Sequence, residues 1–359
     1  MKKFNTLCLL FLVTITFAQN NDIWVSFPNK DTTLIGFKDK NGTIKIEPKF
    51  TRMGIACKFE NIIAVTENLE GNNWKSYYLT KQGKVVGRDS LFYFDNGYDC
   101  ENEGFIRFRD PKTDKMGMFN KDGKVVIPAD YSNLTKSFNG LIIVLKDAIK
   151  ETDGEHTFWN GGKESLIGIN NKVLVENFPL TTELNFYSVE KSKEPSKDQI
   201  RDNFLGTDGQ YYSFINYDKE FKHWLKNTML TDLSKANLEK HSFDKITYWK
   251  EPNGWISESK SKFIQKNYTL LKLKLQQLNN SKTDYFVSSD GLNQFIFETS
   301  EYDMYFNNCC ESKDWQYPVK SIIINPKNKT DFGQDHFEFL RTENGYKLIS
   351  VSLKKEELK

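Results

Sequence analysis

Few side chains in this chain could do covalent or acid–base chemistry, and most of them stand alone. The four histidines, His156, His223, His241 and His336, are far apart. Only His336 has suggestive company: Asp335 precedes it, Glu338 lies two residues on, and Asp303 lies upstream. On a strand His336 and Glu338 share a face, because side chains alternate with a period of two. An imidazole beside a carboxyl is a minimal acid–base pair. The same pattern is also ordinary strand-edge polarity, and we read it so. No nucleophile elbow, phosphate-cradling loop, zincin helix or paired-cysteine metal motif occurs. The expectation is a non-enzymatic protein with no catalytic residue, cofactor or metal.

The cysteines carry the remaining chemistry. Beyond Cys8 they are Cys57, Cys100, Cys309 and Cys310, an even number that permits two disulfides in an oxidising compartment. Cys57 lies five residues before Ile62, and Cys100 five before Phe105. Those hydrophobic residues begin equivalent segments, so Cys57–Cys100 is the candidate disulfide, with two separate buried thiols as the alternative. Cys309 and Cys310 are vicinal. A ring disulfide between neighbours is strained, which leaves free thiols or one pairing elsewhere. The acidic stretch Asp95 to Glu103 offers hard oxygen ligands for calcium but lacks the spacing of a known calcium loop. A solvated turn is its simpler reading.

The elements that hold these residues are repetitive. Lys40-Asn41-Gly42, Lys81-Gln82-Gly83 and Lys121-Asp122-Gly123 recur 41 and 40 residues apart, each followed by a strand-like run. Asn-Gly and Asp-Gly supply the positive φ of tight hairpin turns. About 17–21 residues after each glycine comes a buried strand: Phe59 to Val65, Glu103 to Phe108, Phe138 to Val144. A fourth unit, Leu166 to Val175 followed by Phe186 to Val189, has lost the turn glycine and follows a loop insertion at Glu151 to Lys163. A fixed period of this size signals an array of supersecondary units, each too small to bury its own apolar face.

Ile35-Gly36-Phe37, Met116-Gly117-Met118 and Gly168 stand ahead of these turns, and Val-Ile-Pro and Phe-x-Gly-Leu-x-x-Val follow in the third unit. This pattern resembles the WG-repeat family of bacterial exported proteins. The naming Trp is absent from every copy, and Tyr77-Tyr78 replaces the dipeptide in the second. The resemblance covers about half of the chain and implies binding or scaffolding, with no catalytic residues to carry over. Gly36, Gly42, Gly83, Gly117, Gly123 and Gly168 are read as structural repeat glycines. Whether the units close into a propeller or form an open stack is left open.

Residues 1–18 read as a signal peptide: Lys2 and Lys3, an apolar run from Leu7 to Phe17, and Ala18 at the cleavage site. The expectation is a periplasmic or secreted protein with no transmembrane segment in the mature chain. Without Lys2 and Lys3, the 50 Lys and Arg become 48 against 48 Asp and Glu. A balanced charge argues against a dedicated nucleic-acid binder.

Lys191 to Lys197 is a polar break, so domains are expected at 19–195 and 196–359. Past it the pattern turns helical. A helix capped by Asp218 is expected over 219–230. A second helix over 258–278 carries the apolar stripe Ile264, Tyr268, Leu271, Leu275, Leu278. Strands are expected at 245–249, 285–288, 294–299, 303–306, 319–324, 336–342 and 346–353. Phe337 to Val351 resembles the final hairpin of NTF2-like domains, which implies an α+β cone. The fold class is thus mainly β, with a hairpin-repeat array followed by an α+β domain.

Three functions are carried forward. The first is a binding or scaffolding module for a protein or glycan partner in the cell envelope. The second is a small-ligand binder using a pocket in the C-terminal domain. The third is a hydrolase or isomerase built there around His336. The sequence leaves the oligomeric state open.

Overall fold

The computed structural model describes residues 22–69, 73–94, 97–181, 183–326, 333–353 and 358. The expected signal peptide lies outside them. Among the described residues, no helix is long and apolar enough to cross a membrane.

Among the described residues, five hairpin units make up the first half. Unit 1 comprises Trp24–Pro28, Leu34–Lys38 and Ile44–Thr51; unit 2 comprises Ile62–Leu69, Asn73–Thr80 and Val85–Val86. Unit 3 comprises Phe105–Arg109, Met116–Asn120 and Val125–Tyr131; unit 4 comprises Leu141–Lys146, Lys163–Gly168 and Val173–Glu176. Unit 5, one more than the four expected, comprises Leu184–Ser192, Arg201–Leu205 and Tyr211–Asn216. In units 1 to 4 the strands lie side by side in chain order, whereas in unit 5 the third strand lies between the first two. This last sheet runs across the expected boundary at 195/196, so the array extends to Asn216.

Every unit closes its second strand with the same turn. The N–H of Asp39, Thr80, Asn120, Gly168 and Gly206 donates to the carbonyl of Thr43, Lys84, Lys124, Lys172 and Gln210, respectively. The fourth turn position needs positive φ. Gly123 supplies it in unit 3 at +67°, and Asn171 replaces the glycine in unit 4 at +63°. Of the three glycines read at the WG position, Gly168 is instead the first residue of the unit 4 turn, three residues later than Gly36 and Gly117, and those two do different work. A Cβ on Gly117 would lie 2.6 Å from both Ile127 O and the Phe108 ring. Gly117 sits where the register of the second and third strands shifts, and there the third strand presses on its backbone. Gly36 occupies the equivalent shift in unit 1, against Pro48 N.

The units stack by sharing side chains. Ile62 and Ala64 of one strand pack with Ile106, Phe108 and Phe119 of unit 3. Their neighbours Ile63 and Val65 pack with Phe37, Phe50 and Phe59 on the unit 1 side. The division recurs in unit 4, where Ile142 and Val144 join Met116, Met118 and Ile127, while Leu141 and Ile143 join Phe186, Tyr212 and Phe214. Strand alternation therefore puts one residue set into each neighbouring core. Among the described residues, each of these clusters joins consecutive units.

From Tyr217 onward the chain builds one mainly antiparallel six-stranded sheet. Its order is Gly254–Ser259, Ser242–Lys250, Gly345–Ser352, Asp335–Thr342, Val319–Ile324, Tyr285–Asp290, with a parallel second pair. Helices α1 (Tyr217–Trp224), α2 (Lys235–Lys240) and α3 (Lys260–Gln276) belong to this half. Asn216, not Asp218, caps α1 by accepting from the N–H of Asp218 and Lys219. The helix then runs on through a π turn at Leu225–Met229. The α3 stripe lies as expected: Ile264, Leu271 and Leu275 are buried, packed with Phe221, Ile322, Phe337 and Phe339. Residues 291–318 cover part of the other face. The strands expected at 294–299 and 303–306 are instead a turn and a 3-10 helix, Ser300–Tyr305. Phe297, Tyr302 and Tyr305 from this segment pack on Val319, Leu340 and Ile349.

Candidate functional site

The cysteines mark where the two halves meet. Cys57 bonds Cys310 and Cys100 bonds Cys309, with Cα–Cα separations of 6.1 and 5.9 Å. The expected Cys57–Cys100 bond is not formed. Equivalent positions in stacked units face the same way, so both thiols point toward a third element rather than toward each other. That element is a tight loop in which Asn307 Oδ1 accepts from the N–H of Cys309 and Glu311. Cys310 takes a φ of +62° in it.

The loop runs along the turns that lead into the inner strands. Lys58 N donates to Asn308 O at 2.9 Å, and Asn308 Nδ2 donates to Glu60 at 3.0 Å. Further along, Lys136 pairs with Glu311 at 3.2 Å, and the Phe138 and Trp315 rings lie 5.1 Å apart. At the far end Lys320, which is fully buried, reaches Glu183 of the array at 3.0 Å and Asp218 of α1 at 2.5 Å. Two carboxylates and the Ser289 hydroxyl satisfy this ammonium, as a buried charge requires.

Three carboxylates of the acidic stretch, Asp99, Glu101 and Glu103, are spent internally. Asp99 binds the Arg107 guanidinium at 2.6 Å and the Arg107 N–H at 2.8 Å. Burial pushes its carboxyl up, but Arg107 and Lys136 more than offset this and hold it below the ordinary range. Glu101 accepts from the N–H groups of Asn61 and Ile62, each at 3.0 Å. Burial prevails there and raises its pKa. Glu103 accepts from Asn139 N, Gly140 N and Tyr187 Oη. Glu101 and Glu103 clasp neighbouring units, whereas Asp99 braces the first strand of the unit it leads into. They form neither the solvated turn expected nor a calcium loop. Among the described residues, no group of three or more His, Cys, Asp or Glu could hold a metal ion.

The acid–base candidates do not converge. Asp335 turns to the helix face and pairs with Lys274 at 2.7 Å, and Asp303 is exposed on the 3-10 segment. His336 and Glu338 share the opposite face, as their spacing required. Glu338 lies in a row that crosses all six strands in register: Ser288, Ser321, Glu338, Ser350, Thr247, Ser257. Burial raises the Glu338 carboxyl and lowers the His336 imidazole.

The free end of the array lies opposite the seam. Register places the connections 29–33, 110–115 and 147–162 there. The last of these contains a two-stranded ribbon, Ile149–Asp153 with His156–Asn160. Ile149 and Phe158 on it are 69% and 47% exposed. At its base an open groove of about 570 Å³ runs past Asn133, Leu145, Trp159 and Glu164. This segment, expected as a loop insertion, is a ribbon; the adjacent aromatics Phe158 and Trp159 are the sequence signal for it.

No curated protein matches the chain. The family model described as WG containing repeat matches residues 35–68 and 116–148. Both matches begin one residue before the glycine that sits at the register shift in units 1 and 3, so these two segments are repeats of the WG-containing type.

Proposed function

We propose that this protein is a non-enzymatic, exported binding module whose array engages another macromolecule of the cell envelope through its free end. The carrying observation is an asymmetry. One end of the array carries the C-terminal domain, stapled to it by two disulfides, whereas the other presents exposed connections and the unit 4 ribbon. Stacked units make long contiguous surfaces, and insertions in a repeat commonly lie on the binding face. The disulfides suit an oxidising compartment, consistent with export. On this reading the C-terminal domain is an NTF2-like α+β cone used as a rigid cap, since side chains fill the space between its sheet and helices.

The test is site-specific photo-cross-linking in the native envelope with the intact protein. A photoreactive residue at Lys112 on the free end should capture one dominant partner that the same residue at Lys226 on the C-terminal domain does not. Capture from Lys226 alone would move the function to the C-terminal domain. Capture from neither would end the proposal.

A further inference from the structure

We infer that the groove at the base of the unit 4 ribbon binds an oligosaccharide. The inference rests on the array being a binding module and names the site and ligand class. The groove floor is a register row across the unit 4 sheet, in which Asn133 pairs with Leu145 and Leu145 with Glu164. Trp159 of the ribbon lines it, as do Asn177 and Leu180. Leu180 is 56% exposed although it is a large apolar residue. Glu164 Oε2 accepts the Leu180 N–H at 3.2 Å, which ties the two sides together. Lys115 Nζ sits 4.6 Å from the centre of the indole, which polarises and orients the ring.

This set of groups matches a sugar better than other ligands. A pyranose ring has an apolar C–H face and a rim of hydroxyls that both donate and accept. Trp159, Leu145 and Leu180 suit the face. The amides of Asn133 and Asn177 and the carboxylate of Glu164 suit the rim, because amides do both and carboxylates accept. Lys163 and Glu164 adjoin in the lining, so no single sign of charge dominates, as a phosphate or cation site would require. The volume lies in the range of ordinary ligand sites, and the open shape admits a chain rather than an enclosed monomer.

The experiment uses the intact oxidised protein and titration calorimetry with cellohexaose, chitohexaose, maltohexaose and xylohexaose. At least one should bind with a Kd of about 1 mM or tighter. Trp159→Ala should weaken it about tenfold or more, and Asn133→Ala should weaken it less. Trp159 is only half-buried on a surface ribbon, so the melting temperature of the Trp159→Ala variant should stay close to wild type and exclude misfolding as the cause. Binding of none of the four by the wild type, or equal binding by both variants, overturns the inference. So does a peptide that occupies the groove in competition. Photo-cross-linking from Lys112 reads the broader proposal without any sugar, so the two ideas fail separately.

Discussion

The array and the C-terminal domain are both built mainly from antiparallel strands, yet they bury their side chains on different plans. In the array a single strand feeds two cores, as Ile62 and Ile63 show by packing toward opposite neighbours. In the C-terminal domain one sheet has a large core under its helices and a second core under residues 291–318. The first plan makes stability a chain of nearest-neighbour couplings. The second makes it the property of one body. A lesion in the array should therefore spread to adjacent units, whereas a lesion in the C-terminal domain should act on that domain as a whole.

Cutting the staples tests this contrast most severely. Replacing all four paired cysteines by serine opens loops of 253 and 209 residues' separation. The expected loss is about 5 kcal/mol, with little extra for the second bond because the loops overlap. Calorimetry should then show two transitions in place of one. A single unshifted transition in this variant, or a Cys57–Cys100 peptide in non-reducing mapping of the wild type, would break the comparison. Asp99→Asn should cost about 3 kcal/mol, because it leaves a largely buried Arg107 without its carboxylate. The pH dependence has a definite sign. Asp99 is held below its ordinary 3.8, so its stabilisation is complete above that pH and is lost as pH falls through the lower folded value. The Asn variant should lack that acid-side loss in a pH series of denaturant melts. Smallest, and most diagnostic of spreading, is a pair of glycine substitutions. Gly117→Ala meets backbone and ring atoms and should cost about 2 kcal/mol. Gly42→Ala has open space at φ +84° and should cost about 1 kcal/mol. Hydrogen exchange should rise in units 2 and 4 for Gly117→Ala and only locally for Gly42→Ala.

The same contrast explains what could be read from the sequence. The array was legible because each unit repeats a turn whose backbone dictates residue type, as at Gly123 and Asn171. Unit 5 escaped although Asp208-Gly209 is a clear turn signal, because its strand order differs and the polar break at 191–197 resembles a linker. The stripe on α3 was legible from its period. The segment 291–318 was not, because Phe297, Tyr302 and Tyr305 reach one core from irregular backbone, where no period constrains them. Disulfide partners were illegible for a related reason. Repeat equivalence says that Cys57 and Cys100 have the same surroundings, not that they touch. The candidate groove depends on three strands and a ribbon in register, which a linear reading of the insertion does not convey.

The cysteine pairing also imposes an order on biosynthesis. In a chain that oxidises as it emerges from its N-terminal end, Cys57 and Cys100 become available long before residues 309 and 310 exist. The bond open to those two at that stage is the wrong one, and undoing it requires thiol–disulfide exchange. Native oxidation thus reports completion. A chain truncated ahead of Cys309 keeps unmatched sulfur in its array, a chemical mark by which an unfinished molecule differs from a finished one.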